Sequence, residues 1–207
     1  MDYPTSTTKI TIHEQLPSNI LISSSLSSSK ILQWLPSSYP FQSYFHLTSN
    51  QSLSTTDQVI DREEFCEKKF CNCSDCRIDL NFLQTFSTSN ISLRTVEIVI
   101  EDINDHSPTF KHSTIKLPIA ENVPLDYEIP LESAIDHDYG LFSIQNYALF
   151  PTLNNPFRLL TTSKPILQLK ENLDREIQSK YLLKLVAYDG GQPTLSAEQM
   201  IEIIITE

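Results

Sequence analysis

Residues 100–110 read IEDINDHSPTF. An apolar strand runs into Glu101, Asp102, Asn104 and Asp105, and Pro108 follows. Like charges at that spacing repel one another unless a cation lies among them. Proline cannot donate to a central ladder, so the stretch reads as a short linker. Its reading decides the fold, because the flanking sequence repeats. TIHEQLP at 11–17 returns as PIAENVP at 118–124, and QVIDREEF at 58–65 as ENLDREIQ at 171–178. VEIVIE at 96–101 returns as IEIIIT at 201–206. A three-part match in one order at near-constant offset means two copies of one domain. The copies divide as residues 1–107 and 108–207.

Short runs rich in Ile, Val and Leu recur between turn clusters: KITIH, TVEIVIE, TIKLPIA, YLLKLVAY and QMIEIIIT. That is the strand signature, and no segment holds a 3.6-residue apolar period over three turns. The chain reads as all-β, with strands short enough for a sandwich. Its 207 residues suit two cores of about 100 residues each. Serine fills most of SSSLSSS at 23–29, a composition that does not pack and reads as a mobile loop. Trp34, in the aromatic stretch after it, reads as core filling.

The 26 acidic residues against 15 basic ones give a formal charge of −11, which excludes a phosphate-binding face. No apolar run approaches the roughly 20 residues that cross a bilayer. MDYPTSTTKI lacks the parts of a signal peptide, and the chain stops just after an apolar run. It is therefore expected to be a piece of a longer secreted or membrane protein. Asn50, Asn72 and Asn90 stand in Asn-X-Ser sequons, a mild sign of an extracellular chain.

The carboxylates gather by repeat position: Glu14, Asp61 with Glu63, Asp102 with Asn104 and Asp105, Asp136 with Asp138, and Asp189. Residues i and i+2 of an extended segment face one way, so each pair offers two oxygens in one direction. Six to eight hard oxygens suit Ca²⁺, whereas transition metals call for His or Cys. An EF-hand is set aside, because in DHDYGLFSIQNY the glycine is one place early and Tyr147 stands where a bidentate Glu belongs. The five histidines are scattered, without a serine elbow or an HExxH pair, so an enzyme is not expected.

These residues carry a resemblance. EDINDHSPTF, the paired IDRE and LDRE, DHDYG and AYDGG resemble, in order, the linker and repeat motifs of the cadherin superfamily. YFHLTSNQSLSTTDQVIDREEFC resembles the first repeat of protocadherins. The resemblance implies two tandem seven-stranded Greek-key sandwiches, the two membrane-distal repeats, joined by a calcium-binding linker. It implies three Ca²⁺ ions between the repeats. Glu14, Asp61, Glu63, Asp105 and the Ile103 carbonyl match the ligands of two, and Asp138 the bridge to the third. Asn104, Asp136 and Asp189, with the His106 and Phe142 carbonyls, match those of the third. His106 and Phe142 each replace a usual Asn, and Asp102 is expected to support the linker. Glu121, Asp174 and Glu176 look like the same half-site at the far end of the second repeat, expected to be empty or weakly filled.

Cys66, Cys71, Cys73 and Cys76 crowd into CEKKFCNCSDC, where disulfides fit better than zinc. The resemblance implies a pair closing the loop after DREE, for which Cys66 and Cys76 are the expected partners, and the pairing of Cys71 and Cys73 does not follow from sequence. The function implied is calcium-dependent, homophilic cell–cell adhesion by the extracellular part of a plasma-membrane protein. The partner would be a cadherin-like chain on an opposing cell. A calcium-stiffened spacer of a large surface protein is the alternative.

Overall fold

The computed structural model describes residues 5–23, 26, 31–87, 90–161 and 164–207. Two compact units divide between Ile103 and Asn104, a few residues before the boundary read from the sequence. Asn104 and His106 make their hydrogen bonds to Pro193 and Asp138, and Thr109 pairs with Ile135, so the linker's second half belongs to the second copy.

In the first unit the strands are β1 (Thr5–His13), β2 (Leu21–Ser23), β3 (Ile31–Trp34), β4 (Phe45–Leu47), β5 (Leu53–Thr55), β6 (Arg77–Ser87) and β7 (Asn90–Glu101). A 3-10 helix at Pro36–Ser43 and helix α1 at Arg62–Glu67 interrupt them. The second unit holds β8 (Thr114–Ala120), β9 (Glu128–Pro130), β10 (Ile144–Phe150), β11 (Phe157–Thr161), β12 (Pro165–Leu169), β13 (Lys180–Asp189) and β14 (Ser196–Thr206). Each unit is a sandwich of a four-stranded and a three-stranded sheet. The orders are β1-β7-β6-β3 with β2-β5-β4, then β8-β14-β13-β10 with β9-β12-β11. In both, the first strand lies parallel to the last, β1 on β7 and β8 on β14. The repeat read from sequence is a repeat of topology.

Period-2 alternation explains the burial. Val96, Ile98 and Ile100 of β7 and Ile201, Ile203 and Ile205 of β14 point inward while their neighbours meet solvent. They close on Leu53, Leu80 and Phe82 in one core and Leu167, Leu183 and Leu185 in the other. Trp34 is half-buried, with its ring 4.6 Å from that of Phe82, as core filling requires. Of the serine run, Ser23 ends β2 and Leu26 is buried in the first core, with its amide bonded to the Gln51 carbonyl at 2.7 Å. The rest of that run lies outside the described residues.

Two expectations are corrected. Asp61 and Glu63 do not share an extended segment. Asp61 is the N-cap of α1, its Oδ1 accepting from the Glu64 amide at 2.7 Å, and Glu63 lies in the first helical turn. The cysteine pairing also differs: Cys66 bonds Cys73, and Cys71 bonds Cys76. The helix ends at Glu67, Lys69 takes a left-handed conformation, and the chain doubles back. That brings the paired Cα atoms to 5.0 and 4.8 Å, within disulfide reach. Phe65, wholly buried beneath this loop, meets the Tyr44 and Phe70 rings edge-on at 4.6 and 5.6 Å.

Candidate metal centre

In the first unit the carboxylates collect where β1 and β7 end. The Glu14 amide continues the parallel ladder to the Glu101 carbonyl, which turns its side chain inward, and Glu14 is 3% exposed. Its Oε2 accepts from the Arg62 amide at 2.8 Å and its Oε1 from the Ile103 amide at 2.9 Å. A carboxylate oxygen can accept from more than one side. One oxygen from each of Glu14, Asp61 and Glu63 lies within 4.8 Å of the others. Glu63 Oε2 is buried and meets no hydrogen-bond donor among the described residues. Burial pushes the Glu63 carboxyl above its usual range, and the neighbouring Asp102 charge adds to that, against partial relief from Arg62. Arg62 lies against Glu63 Oε1 at 3.2 Å and Asp102 Oδ2 at 3.3 Å and so joins the two carboxylates.

In the second unit Asp189 ends β13. Its Oδ1 accepts from the Gly191 and Leu195 amides at 3.1 and 2.9 Å, which leaves Oδ2 buried with no donor among the described residues. Asp136 repeats this division. Its Oδ1 accepts from the Asp138 amide at 3.2 Å and its Oδ2 is buried without a donor among the described residues. The Asp136 carboxyl thus reaches along its own chain to the second member of the pair. Burial raises the Asp136 carboxyl, and the Asp189 charge reinforces it. Asn104 donates from Nδ2 to the Pro193 carbonyl at 3.1 Å and holds a buried Oδ1 that meets no donor among the described residues. Its side chain lies where a Cβ on residue 191 would stand, so any other residue there would displace the Asn104 amide. Phe142 sits half-buried past Gly140, whose φ of +61° opens the turn.

His106 adds ring contacts that its place in the linker did not announce. Its Nδ1 stands 2.9 Å from Asp105 Oδ1 and 2.8 Å from Asp138 Oδ1, and its amide donates to Asp138 Oδ2 at 3.1 Å. The ring thus lies against both carboxylates. The identity of the residue signalled a departure; which atom would matter was not readable from it.

Buried carboxylate oxygens without donors are costly unless a positive charge meets them. The donors are hard oxygens with no thiolate among them, so in each unit the residues fit Ca²⁺. The further cluster is looser. Glu121 Oε2 accepts from the Arg175 amide at 3.1 Å, as Glu14 does from Arg62, but Asp174 and Glu176 are exposed. Sequence reasoning passed over Arg62, although the arginine of DRE occurs in both copies.

The chain is similar to known proteins in both sequence and fold. The cadherin domain family model matches residues 115–206. Human protocadherin gamma-B5 is 35% identical over 170 residues, 79% of this chain and 17% of that protein. Human protocadherin alpha-12 is 35% identical over 154 residues, 72% of this chain and 15% of the relative. The chain thus spans about a sixth of the length of the curated relatives it matches. Among solved structures, three repeats of protocadherin gamma C5 superpose with a TM-score of 0.80 at 28% identity, covering 96% of this chain and 65% of that one. The protocadherin gamma B4 extracellular domain gives 0.79 at 28% identity, covering 96% and 32%. The chain belongs to the cadherin superfamily, and its two units are protocadherin-like cadherin repeats.

Proposed function

We propose that this chain serves calcium-dependent, homophilic cell–cell adhesion as part of the extracellular region of a plasma-membrane protein. Glu14, Asp61, Glu63, Asp105 and the Ile103 carbonyl would hold two of three ions. Asp138 would bridge to a third, held by Asn104, Asp136 and Asp189 with the His106 and Phe142 carbonyls. The carrying observation is the set of buried oxygens that meet no donor among the described residues: Glu63 Oε2, Asn104 Oδ1, Asp136 Oδ2 and Asp189 Oδ2. When bound, calcium supplies the divalent charge that lets these carboxylates lie close together. Without it the side chains around Asp105 repel one another and the linker flexes. The same charge balance that excludes nucleic acid suits a surface held by divalent cations.

The partner is a second copy of the protein on an opposing cell. Protocadherin-like pairing would run antiparallel along four repeats, so the 207-residue chain alone binds itself weakly. Thermal melts in calcium and in chelator test the metal, and equal melting temperatures would refute it. Aggregation of beads coated with the chain extended to four or more repeats tests adhesion. Aggregation that requires calcium supports the reading. Coated beads that bind calcium and stay dispersed turn it into a spacer.

A further inference from the structure

Arg62 is 4% exposed and joins groups far apart in sequence. Its amide donates to Glu14 Oε2, and its Nη1 lies 3.2 Å from Glu63 Oε1 and 3.3 Å from Asp102 Oδ2. Its Nη2 donates to the carbonyl of Cys73. Cys73 is tied by its disulfide to Cys66, on the last turn of the helix whose first turn carries Glu63. The backbone oxygen that receives the guanidinium is therefore fixed to the same short helix as the carboxylate that the guanidinium grips. The second copy supplies the contrast. The Arg175 amide meets Glu121 as Arg62 meets Glu14, but no cysteine loop comes after it, and its side chain pairs with Glu207 in solvent, at 41% and 89% exposure.

We propose that the Cys66–Cys73 loop acts through Arg62 as a positioning device for the calcium ligands of the first unit. The Cys73 carbonyl and Asp102 set the plane of the guanidinium. The guanidinium then holds Glu63 Oε1, which leaves Oε2 turned toward the cation. A planar fork with fixed donors can do this, whereas an ammonium on a flexible stem cannot. Groups that orient metal ligands in this way change metal affinity by roughly 10- to 100-fold when removed. The inference rests on the calcium reading above. Charge and geometry pull in opposite directions here. As a bare positive charge Arg62 would weaken calcium binding, and as a positioning residue it strengthens it.

That opposition sets the experiment: calorimetric titration of the 207-residue chain with calcium chloride. The variants are R62K, R62M, the pair C66S/C73S, and that pair combined with R62K. R62K keeps the charge and loses the fork, and its affinity is expected to fall about 10-fold or more. C66S/C73S is expected to fall comparably, and the combined variant no further than R62K, because both act through one contact. Cooperative melting in chelator certifies each variant as folded, and R62K carries the test if R62M does not fold. R62K at wild-type affinity, or R62M binding more tightly, overturns the positioning role. C66S/C73S at wild-type affinity, or additive losses, overturns the part given to the loop. A wild-type chain that takes up no calcium overturns instead the calcium reading.

Discussion

The two copies present the same three-residue motif at the same place in the same topology, and treat it differently. In the first, Asp61 caps a helix, Arg62 is buried and Glu63 lies in the first helical turn. In the second, Asp174 accepts from the Glu176 and Ile177 amides at 2.9 and 3.1 Å in an exposed turn, and Arg175 reaches into solvent. Residues 64–76 separate the motif from β6, whereas only 177–179 separate it from β13. The longer connection builds α1 and the double disulfide, and those bury the arginine. A motif read as a set of ligands is thus also a set of environments. Each environment is built by the connection between the motif and the next strand.

The comparison breaks hardest at Phe65, which seats the cysteine loop on the first core. Phe65→Ala should cost about 3–5 kcal/mol and lower the first melting transition while the second unit melts unchanged. Calorimetry that resolves the two transitions checks this, and equal shifts in both would contradict it. Next comes the pair of arginines. Arg62→Ala strands buried carboxylates and should cost about 3 kcal/mol in denaturant melts, whereas Arg175→Ala should cost under about 1 kcal/mol because its pair is exposed. Equal costs would show that the loop does not distinguish the copies.

The calcium contribution is comparable or smaller. At calcium near 100 times its dissociation constant, ligand binding adds about 2.7 kcal/mol. That amounts to a rise in melting temperature on the order of 10 °C. Asp105→Ala should remove most of that rise and Asp174→Ala should leave it intact, as read by melts with calcium and with chelator. The smallest effect is that of pH. Burial raises Glu63 and Asp136 in the calcium-free protein, so their protonated forms favour the fold. That contribution is complete below the ordinary carboxylate range near pH 4 and fades as pH rises through the raised values. The calcium-free melt should therefore weaken as pH rises from the ordinary carboxylate range toward neutrality, and the calcium-induced rise should widen over the same interval. A rise that narrows would contradict it.

Much of this was legible in the residues. TIKLPIA, YLLKLVAY and QMIEIIIT lie within β8, β13 and β14 because alternation against one core is a local property of the chain. β6 carries the same alternation from Ile78 through Asp79, Leu80 and Asn81 to Phe82, but the next inward place is taken by the buried polar Gln84, where an apolar pattern stops and only packing shows that the strand continues. The three-residue strands β2, β4, β5 and β9 carry too few positions to show a period at all. The site divides in the same way.

The sequence by itself determined two copies of an all-β repeat and the clustering of carboxylates at their ends. Composition, periodicity and motif order are written along the chain. The tertiary structure alone decided which cysteines pair, where the Arg62 guanidinium lands and that the His106 ring lies between Asp105 and Asp138. Each of those depends on how a turn reverses and which groups it leaves buried. Side-chain direction after a reversal is set by packing among residues distant in sequence, and no local pattern records it.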